Sequence, residues 1–209
     1  NMMTPLAAGI MTAIAASFGD EAVAAFGVGA RLEPMATLIV LAMSSSLPPL
    51  ISQNFGAGKI DRVEEAYRLS IKFILGWQML VYMVLALGAG VIASTFSDDP
   101  EVIETIKLFL WILPLAYGMQ GVIILTNSSL NALHRPMSAL YLSSARFFVF
   151  YVPLAYVGSQ WLGLAGFFGG ALCGNFLMAA ISWRSFNKAI SQERATHANC
   201  AESTAENMA

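Results

Sequence analysis

The sequence predicts an all-α integral membrane protein, a six-helix transmembrane bundle. Hydrophobic residues make up 57% of the 209 positions and charged residues 11%, and the mean hydropathy is +0.65. A soluble domain of this length has no core large enough to bury so much apolar surface. Since backbone polar groups in lipid must be satisfied within each segment, the spans are expected to be helices.

Six apolar segments approach the ~20 residues that cross a hydrocarbon layer of about 30 Å. The predicted spans cover residues 2–18, 24–51, 73–96, 108–130, 138–157 and 162–183. The second is longer than a perpendicular crossing requires, so we expect tilt, or a kink at Pro34 or at Pro48 and Pro49. After this 1–185 bundle, residues 186–209 are polar and poor in aromatics, which predicts a disordered tail.

Basic residues collect on one side of these spans. They occupy the loop after the second span, the connector after the fourth and the tail, whereas the opposite loops are acidic, with Lys107 as their only base. The positive-inside rule therefore places both ends of this segment in the cytoplasm. The chain begins at Asn1 within an apolar run, which predicts a piece of a longer polypeptide.

Composition and motifs exclude several function classes. The net charge of −2 leaves no basic face for nucleic acid. Cys173 lies in an apolar run and Cys200 in the polar tail, so both are interpreted as free thiols. No nucleophile motif, paired carboxylates or His/Cys cluster lies within a span, so we expect neither catalytic residues nor a metal or organic cofactor.

Three charged residues lie inside the predicted spans: Arg31, Glu33 and Arg146. A charge near the middle of a membrane costs on the order of 3 kcal/mol on insertion scales, so each needs a partner or water. They are interpreted either as part of an ion or substrate path or as structural ion pairs that hold helices together. Arg146 is one candidate partner for Glu33 across the bundle.

The fourth span carries a polar stripe. Tyr117, Gln120, Asn127 and Asn131 are separated by steps of three, seven and four residues, which return to one broad helix face. Such a stripe faces the bundle interior or a water-filled cavity. It is interpreted as a substrate pathway lining, with hydrogen bonding between helices as the alternative.

Several motifs resemble a known family. GVGARLEP followed by SLPPLISQNFGAGKIDR resembles the second span and loop of the C-terminal half of a multidrug and toxic compound extrusion (MATE) transporter. SSLNALHRP, Arg146 and VPLAYVGSQWLGLAG are similar to its later spans. The resemblance covers residues 1–185, and the NALHRP connector resembles the DinF-like subclass.

The resemblance implies a twelve-span antiporter with two six-helix lobes related by a pseudo-twofold axis. This chain would be the C-terminal lobe, its partners being the missing N-terminal lobe and the lipid of a bacterial inner membrane. The cargo would be small amphipathic or cationic compounds, exported against an inward H⁺ or Na⁺ gradient. Tyr117, Gln120, Asn127 and Asn131 would line the cavity, and Arg31, Glu33 and Arg146 would hold the helices that rock.

This chain departs from sodium-coupled members of the family, which carry acidic residues in spans matching the first and fourth here. Neither span contains Asp or Glu. The DinF-like subclass instead couples through an Asp in the N-terminal half, so the resemblance implies H⁺ as the coupling ion, leaves Na⁺ open and identifies no coupling carboxylate in this chain. Two alternatives remain: half of a lipid-linked oligosaccharide flippase of the same superfamily, or a non-transporting six-span scaffold.

Overall fold

The structure, a computed structural model, describes the backbone of residues 3–206 and the side chains of residues 5–196. Every regular element in this part of the chain is a helix. In chain order the elements are α1 (Met3–Ala16), α2 (Asp20–Ala36), α3 (Leu38–Gly56), α4 (Ile60–Leu87), α5 (Ala89–Phe96), α6 (Pro100–Ile112), α7 (Leu115–Ala132), α8 (Pro136–Ala145), a π-helix (Arg146–Tyr151) and α9 (Val152–Glu206).

The second predicted span forms two helices, α2 and α3, that meet at 42°. Pro34 lies in the last turn of α2 and has no N–H to donate, and the helix ends at Thr37. The Thr37 hydroxyl donates to the carbonyl of Glu33 at 2.7 Å, which closes that turn. Pro48 and Pro49 lie inside the continuous helix α3. The bend in this span therefore follows the first proline and not the pair.

The fourth predicted span is bent in the same way. Helices α6 and α7 meet at 46°, with Leu113 and Pro114 at the break. Helix α6 begins with Pro100 at its first position, and the carboxylate of Asp99 accepts the N–H of Glu101 at 2.9 Å. The ordinary helix-start signals thus set the beginning of α6, and Pro114 sets the bend.

Helix α4 is longer than the predicted third span. It begins at Ile60 rather than at Phe73, because the amphipathic residues 60–72 continue the same helix. Two of its side chains reach the broken helices: Gln78 Nε2 donates to the Ala36 carbonyl at 3.0 Å, and the Tyr82 hydroxyl donates to the Trp111 carbonyl at 3.1 Å. Each acceptor lies within three residues of a break, where helical hydrogen bonding is interrupted.

The fifth and sixth predicted spans form a helical hairpin. The chain reverses at Leu162 and Gly163, where Gly163 has φ 61°, a conformation that favours glycine. The reversal therefore lies at the beginning of the sixth predicted span, beyond the gap between residues 157 and 162. The two arms contact each other through backbone, because a Cβ at Gly166 would overlap the Gly158 carbonyl and one at Gly170 would overlap that of Leu154.

The predicted disordered tail is wrong for the described residues, since α9 remains helical beyond residue 185. Phe186 is buried and stacks on Tyr67 with ring centroids 3.6 Å apart. Arg194 Nη2 lies 2.6 Å from Asp61 Oδ1. Composition did not predict this helix, because a few apolar residues at helical spacing are enough to pack an otherwise polar segment against the bundle. These residues are Phe186, Ala189 and Ile190. Residues 207–209 lie outside the described residues.

Two hydrophobic clusters stack along the bundle. The first includes Ile60, Val63 and Ile190, near the basic loop, and the second includes Ala22 and Ala93, near the acidic loops. The clusters therefore occupy opposite ends of the bundle, and the helix breaks lie between them.

By length and composition, the helix Ile60–Leu87 and the continuous run Pro136–Thr196 are each apolar enough to cross a bilayer. The two bent pairs pass the same test as pairs, and Pro5–Ala16 is a shorter apolar helix. The run Pro136–Thr196 reverses at Leu162 and Gly163 and therefore comprises two arms. The division of the chain into six spans stays a prediction.

We expect Gly170→Ala, in the native full-length polypeptide, to destabilise the protein by about 1–3 kcal/mol, because the new methyl group meets the backbone of the opposite arm. Gly169→Ala is the matched control, since no atom lies within 4 Å of a Cβ there. Thermal unfolding followed by size-exclusion chromatography measures both. Equal stability of the two variants would contradict the backbone contact.

Candidate functional site

Polar side chains meet at the level where three helices depart from regular α-helix. Glu33 lies just before the α2–α3 break, Gln120 follows the α6–α7 break, and Arg146 begins the π-helix. This level lies between the two hydrophobic clusters, because Val28 and Val40, on either side of Glu33, belong to different clusters. Broken helices and π-helical turns are common at functional sites in membrane bundles.

The central contact joins residues 87 positions apart. Gln120 Nε2 donates a hydrogen bond to Glu33 Oε1 at 2.7 Å, and both side chains are partly buried. Tyr117, one turn before Gln120, is 3% exposed and within electrostatic range of Glu33. Tyr117 is buried and Gln120 is partly buried on α7, and Glu33 joins them. That Tyr117 and Gln120 line a cavity stays a prediction.

Arg146 faces the same site without forming a direct ion pair. Its guanidinium carbon lies 4.9 Å from the ring centroid of Phe147. Its Nε is buried and has no hydrogen-bond partner among the described residues. Glu33 and Tyr151 lie within electrostatic range. The proposed pairing of Arg146 with Glu33 is therefore a longer-range attraction, which leaves a guanidinium donor unused.

Arg31 does not join this cluster. It is exposed on the side of α2 that also carries Gly27 and Pro34, and it makes no ion pair within the part of the chain that the structure describes. Positions two apart on a helix point to nearly opposite sides, which separates Arg31 from Glu33. A guanidinium inside a span avoids lipid, so this face of α2 borders water or protein. Among the described residues, Arg31 therefore takes no part in the structural ion pairs offered as one interpretation of the intramembrane charges.

The remaining members of the predicted polar stripe go elsewhere. Asn127 Nδ2 donates to Ser143 Oγ of α8 at 2.9 Å, which is the hydrogen-bonding role given as the alternative. Asn131 is exposed near the end of α7 and its side chain has no hydrogen bond among the described residues. The stripe therefore divides into Tyr117 and Gln120 at the site and Asn127 between helices.

The sequence missed Tyr151, Gln78 and Tyr67. Tyr151 closes the π-helix and faces Glu33 and Arg146, but it lies within an aromatic run that looks like lipid-facing filler. The Tyr67 hydroxyl lies 2.7 Å from Thr126 Oγ1, a buried contact between α4 and α7. For Gln78, one signal was available: a lone amide within an apolar helix indicates a buried polar partner.

Chemically, the site combines a carboxylate, an amide donor, a guanidinium and two phenols at mid-bundle. Such a set binds a polar or charged ligand by hydrogen bonds, and its carboxylate is a group that accepts a proton. Among the described residues, no group of three or more His, Cys, Asp or Glu side chains is placed to hold a metal ion.

Comparison with known proteins gives the family. The family model described as MatE matches residues 1–157. The chain belongs to the MatE family. The resemblance to MATE transporters is thereby confirmed, and proteins of this family are multi-pass membrane transporters rather than enzymes.

Individual relatives support the same family. An FAD transporter of Shewanella oneidensis is 44% identical over 178 residues, which cover 85% of this chain and 39% of that protein. A probable multidrug resistance protein NorM of Neisseria meningitidis is 31% identical over 176 residues, covering 83% of this chain and 38% of that protein. The chain thus spans about two fifths of the length of these relatives.

Among solved structures, the bent form of the Vibrio cholerae MATE transporter VcmN matches with a TM-score of 0.88 and 36% identity. The match covers 93% of this chain and 44% of VcmN. The predicted fold class, an all-α membrane bundle that forms one lobe of a two-lobe transporter, is confirmed.

A double-mutant cycle tests the central contact apart from any activity. We expect Glu33→Ala and Gln120→Ala to be coupled by about 1 kcal/mol in stability of the full-length protein, because hydrogen bonds between membrane helices average somewhat less than this and a charged acceptor strengthens them. The control cycle pairs Glu33→Ala with Asn127→Ala, since Asn127 bonds to Ser143 and not to Glu33. Equal coupling in the two cycles would contradict a specific bond between Glu33 and Gln120.

Proposed function

We propose that this chain is the C-terminal lobe of a cation-coupled exporter, and that the site around Glu33 and Gln120 faces the pathway between the lobes. The observation that carries this proposal is the polar cluster at the level of three helix breaks, within a lobe of the MATE fold. Transporters place substrate and coupling-ion sites near the bilayer midplane, at discontinuous helices.

The proposed coupling ion is the proton. Glu33 is the one Asp or Glu in the six predicted spans. Na⁺ needs several oxygen ligands, which a single carboxylate does not supply, whereas a proton needs only one acceptor. In this proposal, protonation of Glu33 weakens its attraction to Arg146 and changes the hydrogen bond from Gln120. The basic loops support a bacterial inner-membrane location with both ends of the segment in the cytoplasm.

Two cargo classes have support from relatives. Multidrug export, the cargo class implied by the sequence motifs, is the function named for relatives such as NorM, at 31% identity. FAD, the cargo named for the Shewanella relative, has stronger support because that protein is 44% identical.

The charges favour the second class. FAD carries a negatively charged diphosphate and two aromatic ring systems. Arg31, on the exposed face of α2 away from the Glu33 cluster, makes no ion pair among the described residues. Within the cluster, Arg146 Nε has no hydrogen-bond partner, whereas the Glu33 carboxylate already accepts from Gln120. We therefore propose an aromatic dinucleotide such as FAD as the first cargo to test, with cationic drugs second.

Transport by the full-length protein in liposomes with an imposed pH gradient tests the cargo. We expect Arg31→Gln to lower FAD transport about tenfold, since a charge-assisted contact contributes roughly 1.5–3 kcal/mol, and to spare transport of the cationic dye ethidium. Arg184→Gln is the matched control, because Arg184 is also exposed and makes no ion pair among the described residues. Transport of ethidium without FAD would overturn the anionic cargo, and transport of neither would overturn export of both classes.

We expect Gln120→Ala to change the ratio of FAD to ethidium transport at normal membrane abundance, because it frees the Glu33 carboxylate for other partners. Gln160→Ala is the control, since Gln160 is exposed near the hairpin turn and its side chain makes no hydrogen bond within the described part of the chain. Abundance is measured by immunoblot of membranes. An unchanged ratio of FAD to ethidium transport would contradict the proposal that Gln120 lines the pathway.

A further inference from the structure

A cavity lies away from the Glu33 site, at the end of the bundle that carries the basic loop. It has a volume of about 420 Å³ and lies between the end of α7, the start of α8 and the second arm of α9. Its apolar wall includes Leu130, Leu142 and Ala189, which belong to the hydrophobic cluster near that loop. This wall is suited to contact with hydrocarbon.

The lining of the cavity also carries hydrogen-bond donors. Lys188, Ser138, Ser185 and Tyr141 all line it. Within the described part of the chain, none of these four side chains makes a hydrogen bond or ion pair. An ammonium and three hydroxyl groups that converge on one cavity match the oxygens of a phosphate group.

The charge around the cavity is positive. Arg135 also lines it, but Glu193 and Gln192 already bind its guanidinium, at 2.7 Å and 2.6 Å. Arg184 lies one helical turn before Lys188 and is exposed. Since Glu193 neutralises Arg135, the net charge near the cavity comes from Lys188 and Arg184. An anion is therefore favoured over a neutral or cationic ligand.

The surroundings favour a lipid over a soluble anion. Met137 and Leu140 of α8, beside the cavity, are 58% and 47% exposed, and Tyr141 is 68% exposed. An apolar surface next to a basic cavity presents both halves of a phospholipid site, one for the acyl chain and one for the headgroup. Basic pockets between helices on the cytoplasmic side bind anionic headgroups in other membrane proteins.

We propose that this cavity binds an anionic membrane lipid, with Lys188 contacting the phosphate and the hydroxyls of Ser138, Ser185 and Tyr141 donating to its oxygens. The acyl chains lie along the exposed face of α8. This site is independent of the cargo and of the coupling ion.

Native mass spectrometry of the purified full-length protein tests this, with phosphatidylglycerol as the probe and phosphatidylcholine of the same acyl chains as the neutral comparison. We expect Lys188→Gln to weaken binding of the first phosphatidylglycerol about fivefold, the contribution of one lysine near an anionic surface, and to leave phosphatidylcholine binding unchanged. Lys188→Arg, which keeps the charge, restores most of the binding.

Lys72→Gln is the matched control, because Lys72 is exposed, makes no ion pair among the described residues and lies outside the cavity. Equal losses from Lys188→Gln and Lys72→Gln would show a general attraction of basic side chains and overturn the site. Equal binding of the two lipids would overturn anion recognition. Displacement of phosphatidylglycerol by millimolar inorganic phosphate would assign the cavity to a soluble anion instead of a lipid. A Ser138→Ala, Ser185→Ala double variant supplies a second test that leaves all charges in place.

Discussion

The need to satisfy every backbone polar group inside the membrane governs this bundle. Two of its predicted spans are broken, and each break interrupts the hydrogen bonding of a helix. Helix α4 supplies donors to both, from Gln78 to the Ala36 carbonyl and from Tyr82 to the Trp111 carbonyl. In lipid an unsatisfied carbonyl costs several kcal/mol, so side-chain donors beside a break lower the cost of bending a helix there. Helix α4 is thus the element against which both bent pairs are set.

The bends in turn make the polar site possible. Glu33 lies beside the bend of the α2–α3 pair, and Gln120 lies beyond the bend of the α6–α7 pair. In the bent helices Gln120 Nε2 lies 2.7 Å from Glu33 Oε1, although the two residues are 87 positions apart. The π-helix adds Arg146 and Tyr151 at the same level. The hydrophobic clusters above and below keep this polar layer narrow. The same backbone irregularities that α4 stabilises therefore concentrate the charged groups of the bundle interior.

Much of this architecture could be predicted from the sequence, because hydrophobic length and proline position are local signals. Pro34 was one of the two places where a kink of the second span was expected, and helical spacing put Tyr117 and Gln120 on one helix face. The bend at Pro114 was not predicted, although that proline was an equally local signal. The pairing of Glu33 with Gln120 rather than with Arg31 or Arg146 could not be predicted, since it depends on where two bent helices cross. Tyr151 could not be recognised as a site residue from the sequence, because the residues on either side of it are aromatic or apolar. The order beyond residue 185 was missed because three apolar contacts, including Phe186 on Tyr67, outweigh an otherwise polar composition.

The second arm of α9 has a mechanical consequence. From residue 164 to residue 196 it is continuous helix, about 50 Å at 1.5 Å per residue, which exceeds a hydrocarbon layer of about 30 Å. Near one end glycines pack it against the first arm, and toward the other Phe186 stacks on Tyr67 of α4 in the buried core. A helix that packs against neighbours at both ends moves as one rigid body. A small rotation of this arm at the hairpin would therefore displace α4, the helix that contacts both bent pairs.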